Sequence, residues 1–173
     1  YEVVRDGQYE SFDTTTAPEG WTVTNTDPAA EGWTFEDLGA RGNLTGGEGG
    51  FAIVDSDEIG SGADQDTYLT GPVTDLSAMD DPVLEFKTDY RHLAGSSAAV
   101  EVTTDGETWT EVWSAEANVA GPQTVSIPLP DAVGSSTVQA RFHYVGSYSW
   151  WWEIDDVLLG SASCVPTPAG LVV

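Results

Sequence analysis

The sequence predicts an all-β fold, a two-sheet antiparallel β-sandwich of jelly-roll type, and three observations predict it. Apolar and polar residues alternate over short runs, as in strands with one buried face. Gly, Pro, Asp and Ser punctuate those runs, with 19 glycines and 9 prolines in the chain. No stretch keeps a helical period for three turns, so roughly ten strands without a helix must cover one another as two packed sheets.

Taken in order, residues 9–13 form a first strand, and Pro18-Glu19-Gly20 turns into a second at 21–24. A glycine-rich region from Gly39 to Gly50 leads into Phe51-Ala52-Ile53-Val54, a continuous apolar run that sits between two layers. The acidic segment from Asp55 to Asp66 reads as a loop. Residues 67–70 and 72–76 resume extended structure, and 83–90 alternate cleanly. Residues 98–103 and 109–113 are joined through Thr104-Asp105-Gly106-Glu107, where Asp-Gly signals a hairpin. Residues 123–129, 137–145 and 150–159 complete the set. In the run from Val138 to Val145, alternation predicts Val138, Ala140, Phe142 and Tyr144 in the core and Arg141 and His143 facing outward.

A chain of 173 residues suits one domain. We place that domain at residues 1–160 and read 161–173 as a linker leading into a following domain. The chain opens at Tyr1 without methionine and ends on Gly170-Leu171-Val172-Val173, which predicts excision from a longer precursor. With 29 acids against 5 bases the net charge is -24, so nucleic acid and anionic membrane are repelled as partners. No apolar run of about 20 residues is present to insert in a membrane. An acidic surface of this kind favours divalent cations and saline, extracellular surroundings, and the expected location is secreted. Cys164 stands alone, so it has no internal disulfide partner, and nothing ties His92 or His143 to it as a base.

The most informative stretch is Trp150-Trp151-Trp152-Glu153-Ile154-Asp155-Asp156-Val157, three indoles directly before a run of acids in a terminal strand. With Trp33-Thr34-Phe35-Glu36-Asp37, Arg41-Gly42-Asn43-Leu44-Thr45-Gly46-Gly47, Phe51–Asp57, Thr67–Ser77 and Thr104–Trp109, it falls in an order that resembles the choice-of-anchor J, or cleaved-adhesin, domains. The resemblance covers nearly the whole chain. The family is similar to MAM domains and jelly-roll carbohydrate-binding modules, and it occurs as an accessory module beside secreted bacterial subtilisin-type peptidases. Its pattern Cys-x-Pro-x-Pro-Gly-Gly-Leu-Val is met here by Cys164 to Val172, with Ala169 as the departure. The resemblance implies a non-catalytic adhesion module with structural calcium, acting as a monomer on a polysaccharide or protein substrate or surface of the parent enzyme.

Calcium takes six to eight oxygens, and two acidic clusters supply them. Glu10 and Asp13, at the end of the first strand, meet Asp155 and Asp156 in the last, because jelly-roll topology sets first and last strands side by side. The loop from Asp55 and Asp57 to Asp66 packs five acids among glycines and would repel itself without a cation, though its spacing is not that of an EF-hand. For the aromatics, strand alternation forbids burying Trp150, Trp151 and Trp152 on one face. Tyr90, Tyr148, Trp150 and Trp152 are therefore the candidate binding platform, against the alternative that the indoles only cap the sandwich. Two further readings are open: a passive spacer with structural calcium only, and a glycosidase using paired carboxylates. No Gly-x-Ser-x-Gly elbow, zinc-binding His pair or phosphate loop accompanies the acids. Asn43-Leu44-Thr45 is a glycosylation acceptor only in a eukaryotic secretory route.

Overall fold

The computed structural model describes residues 1–167 and shows two five-stranded antiparallel sheets face to face. In chain order the strands are β1 (Glu2–Glu10), β2 (Thr22–Asn25), β3 (Ala52–Asp55), β4 (Gln65–Thr70), β5 (Val83–Tyr90), β6 (Ser97–Thr103), β7 (Thr110–Ala115), β8 (Val119–Pro128), β9 (Gln139–Gly146) and β10 (Trp151–Val165). The only α-helix among the described residues is the single turn α1 (Ser56–Ile59). Sheet A runs β1-β10-β5-β8, with β3 paired to the first part of β10, and sheet B runs β2-β4-β9-β6-β7. First and last strands are neighbours, as the topology requires: β1 pairs antiparallel with β10 from Glu2↔Val165 to Glu10↔Val157. Among the described residues no helix is long and apolar enough to cross a membrane.

Side-chain alternation builds the core from both sheets. On β9, Val138 before the strand and Ala140, Phe142 and Tyr144 within it are buried, while Arg141 and His143 point the other way. Trp152 on β10 lies at the centre, fully buried among Trp33, Trp113, Phe142 and Tyr90, with ring centroids 5.1, 5.9, 6.0 and 6.3 Å away. Its indole N–H donates to Thr88 Oγ1 at 2.8 Å, which keeps a polar atom from being stranded in that cluster.

Two boundaries differ from the sequence reading. β1 begins at Glu2 rather than near Tyr9, and β10 continues through Ser161–Val165 rather than ending at 159, because these stretches pair with each other. Residues 161–165 thus belong to the sheet, and 168–173 lie outside the described residues. Residues 72–76, expected as a strand, contribute only an isolated bridge, Thr74↔Val138.

Because Trp152 fills the middle of the core, Trp152→Ala should cost about 3–5 kcal/mol in denaturant unfolding. Trp150→Ala, which removes a partly buried ring held by a guanidinium, should cost about 1 kcal/mol or less.

Candidate cation site and aromatic end

One extra residue in β10 decides where its acids go. The register with β5 runs Asp155↔Lys87 and then Leu158↔Glu85, three steps on one strand against two on the other, which is a β-bulge. Before it Trp152 and Ile154 face the core; after it Val157 and Leu159 do. The bulge residue Asp156 takes a positive φ of 46°. Adjacent aspartates are thereby sent to different surroundings.

Asp156 is held by Lys87 Nζ and by the Tyr9 hydroxyl, both at 2.7 Å. Burial works against its ionisation, but these hydrogen bonds outweigh it and its pKa lies below the usual value. The expected pairing with Asp155 around one cation is thus not what Asp156 shows: the Lys87 ammonium is its cation. Asp155 is fully buried beneath the loop of residues 43–50. Its Oδ2 accepts from Asn43 Nδ2 at 2.9 Å, and burial, with only partial relief from Asn43, pushes its pKa up to about 6. The loop's glycines make this approach possible. A Cβ at Gly47 would collide with the Asp155 carboxylate, and one at Gly49 with that of Asp13. Asp13 Oδ1 accepts from Gly50 N–H at 2.9 Å, and Glu10 Oε1 from Phe12 N–H at 2.8 Å. Asn43 Nδ2 also lies 3.4 Å from the Gly50 carbonyl, so one amide group spans two oxygens.

The second predicted cluster has a different structure. Residues 55–66 are not an open cation loop: Asp55 caps α1, accepting from Glu58 N–H at 2.9 Å. Arg41 reaches back from the glycine-rich region and binds Asp55 in a fork, at 2.7 and 3.1 Å, and Asp57 at 3.0 Å. A guanidinium supplies the neutralisation that was assigned to a metal, which sequence reading missed because Arg41 lies in a separate loop. Among the described residues, no three of His, Cys, Asp and Glu converge closely enough to hold a metal by themselves.

The aromatic platform also loses two members. Tyr90 and Trp152 are 1% and 0% exposed and belong to the core, because both lie on inward positions of neighbouring strands at Tyr90↔Trp152. Trp151 faces the opposite side of sheet A, where it is buried against Phe51 and Ile53. Its indole N–H donates to Asp89 Oδ2 at 2.9 Å, and Arg41 lies over its ring at 4.4 Å. Trp150 is partly buried under Arg91 at 3.8 Å, and Tyr148 is well exposed. The three consecutive indoles therefore do not share a side.

Between these features sits Glu153, fully buried on the outward side of β10 with Oε1 lacking a hydrogen-bond partner. Its Oε2 accepts from Leu44 N–H at 2.8 Å. Burial pushes its pKa up to about 8, and the nearby Asp89, Asp37 and Asp55 add to the shift. A cavity of about 510 Å³ opens elsewhere, between β7 and β8, lined by Val102, Val112, Ile127 and Leu129 together with the hairpin turn at Asp105.

Glu153 binds its proton more tightly folded than unfolded, so the folded state holds the extra proton and stability falls as pH rises from about 4.5 towards 8. With chelator present, the melting temperature should decline across that window. Asp155, pushed up to about 6, shares the lower part of that window, so Glu153→Gln should flatten the decline above pH 6, whereas an unchanged slope there would mean that another group governs it.

No family model and no curated protein matches the chain. Solved structures do match. The K1 cleaved adhesin domain of Lys-gingipain from Porphyromonas gingivalis aligns with a TM-score of 0.66 at 20% identity, covering 88% of this chain and 96% of that one. The K3 cleaved adhesin domain of the same protein gives a TM-score of 0.67 at 18% identity, covering 92% and 100%. TmCBM61, solved in complex with beta-1,4-galactotriose, gives 0.60 at 16% identity, covering 87% and 93%. The likeness that the ordered motifs predicted holds at the level of the fold: this chain shares the β-sandwich of cleaved adhesin domains and carbohydrate-binding modules.

Proposed function

We propose that this domain is a non-catalytic adhesion module of a secreted bacterial protein, holding a parent enzyme, a peptidase, against a polysaccharide, with calcium as a structural ion. The observation that carries this reading is the jelly roll it has in common, over 88% and 87% of its length, with an adhesin domain and a galactotriose-bound module. Modules for mannan and for non-crystalline cellulose have the same fold at TM-scores of 0.51. The paired-carboxylate alternative has little to support it. Asp155 is sealed under a loop, and Asp156 is committed to Lys87 and Tyr9, so the two do not flank a cleft.

The strand-end cluster fits a hard cation. Asp155 and Asp13 offer carboxylate oxygens against the same loop, the Gly50 carbonyl lies beside Asn43, and water would complete the shell. Gly47 and Gly49 bring the loop close enough to share an ion with Asp155 and Asp13. Calcium bound there would supply positive charge to a carboxylate, Asp155, whose ionisation burial disfavours. The chain's own contribution is the cradle: β1 and β10 bring the acids from opposite ends of the sequence, and the loop closes over them.

Millimolar calcium should raise the melting temperature, and chelator should lower it. The gain is about 2.7 kcal/mol at a concentration one hundred times the dissociation constant. Asp155→Asn should remove the calcium response. A chelator-insensitive melt in the parent would refute the metal assignment. Pulldown on insoluble polysaccharides tests the binding half separately.

A further inference from the structure

The two sheets differ in what covers their outer faces. On sheet A, the outward residues Trp151, Glu153 and Asp155 are buried, with Arg41, Asn43 and Leu44 lying across them. On sheet B, the outward residues Asp66, Tyr68 and Thr70 of β4, Arg141, His143 and Val145 of β9, and Glu101 of β6 all remain half-exposed. A row of flat groups stands there. Tyr68 and His143, directly opposed across β4 and β9, stack with centroids 4.0 Å apart and planes at 7°. The Arg141 guanidinium lies over both Tyr68, at 4.4 Å, and Trp109, at 4.1 Å. Arg141 donates to Glu101, and His143 Nε2 lies 2.6 Å from Asp66 Oδ1.

We propose that this stripe is the ligand face of the domain and that its ligand is a neutral polysaccharide chain; the proposal rests on the polysaccharide-binding reading above and gives it a site. Three properties support it. Tyr68 and Trp109 supply half-exposed apolar ring surface beside the parts that His143 and Arg141 cover, while Arg141, His143, Glu101 and Asp66 supply donors and acceptors for hydroxyls. Arg141 is matched by Glu101, while Asp66 and Glu111, opposite Glu101 on β7, add negative charge. On a chain carrying -24, with acids on this face as well, an uncharged polymer suits the patch, since an anionic one meets a repelling field over the whole surface. The extent also fits. From β4 across β9 and β6 to β7 is three strand spacings, about 14 Å, the reach of a short run of sugar units and far smaller than a stable protein interface.

Affinity electrophoresis in gels containing β-1,4-galactan, β-mannan, hydroxyethyl cellulose or polygalacturonate tests the assignment. The parent domain should be retarded by at least one neutral polymer and not by polygalacturonate. Tyr68→Ala and Trp109→Ala should each weaken that binding about tenfold or more, and Leu38→Ala, at an exposed loop position, should leave it unchanged. Loss of binding in Trp150→Ala with Tyr68→Ala and Trp109→Ala unaffected would overturn the site while leaving the polysaccharide function standing. A parent that binds no neutral polymer would overturn both, and stronger retardation by polygalacturonate would overturn the ligand class. Should the alanine variants unfold, NMR titration of the unmodified domain with an oligosaccharide of the retarding polymer gives the answer. The Trp109 indole N–H should shift, and a response confined to Trp150 would overturn the site.

Discussion

Strand β10 is hydrogen-bonded along both edges and covered on both faces, so each of its side chains between Trp151 and Leu159 must be apolar or must meet a polar group brought to it from elsewhere. The inward side is settled by packing, with Trp152, Ile154, Val157 and Leu159 closing the space between the sheets. The outward side carries Trp151, Glu153 and Asp155, and there the rest of the chain has to respond. Asp89 accepts the Trp151 N–H, Leu44 N–H serves Glu153, and Asn43 serves Asp155. The 43–50 loop is thus fixed by what β10 needs buried.

Charge is handled by the same logic of long-range pairing. A chain with so few bases cannot neutralise its acids generally, and three of the bases are spent on partly buried carboxylates, while the fully buried Glu153 and Asp155 have none among the described residues. Arg41 joins Asp55 and Asp57, Lys87 joins Asp156, and Arg141 joins Glu101. Each of these cations is itself half-buried or nearly so, which strengthens the pairing relative to a freely solvated one. Arg41 does double duty, lying flat over Trp151 while its fork holds Asp55. Surface acids elsewhere remain as solvated charge.

Much of the fold was legible because strand alternation and turn residues are local signals. The β9 pattern placed four residues inward and two outward correctly, and the Asp-Gly turn lies between β6 and β7. What was illegible depends on events between distant segments. Residues 2–8 lack clean alternation and contain Asp6-Gly7, so they read as irregular; they are a strand because the far end of β10 pairs with them. The bulge that separates Asp155 from Asp156 leaves no mark in the sequence, so two adjacent carboxylates looked like one site. Tyr90 and Trp152 were offered as surface rings because composition cannot say which side of a strand faces the core. The sheet B stripe was half visible: Arg141 and His143 were expected outside, but the approach of Tyr68 and Trp109 to them requires the strand order.

The pairing of Glu2 with Val165 has a mechanical meaning. Because β1 and β10 run antiparallel from that point, a pull applied to the two ends of the domain loads their ladder one rung at a time, like a zipper, instead of shearing all the rungs together. The ribbon would peel from Glu2 and Val165 towards Glu10 and Val157, with little resistance on the way. The first firm stop lies between Tyr9 and Asp13, where Tyr9 holds Asp156 and the loop at Gly50 holds Asp13. A tethered module built this way yields at its ends under load while the sandwich beyond that stop stays closed.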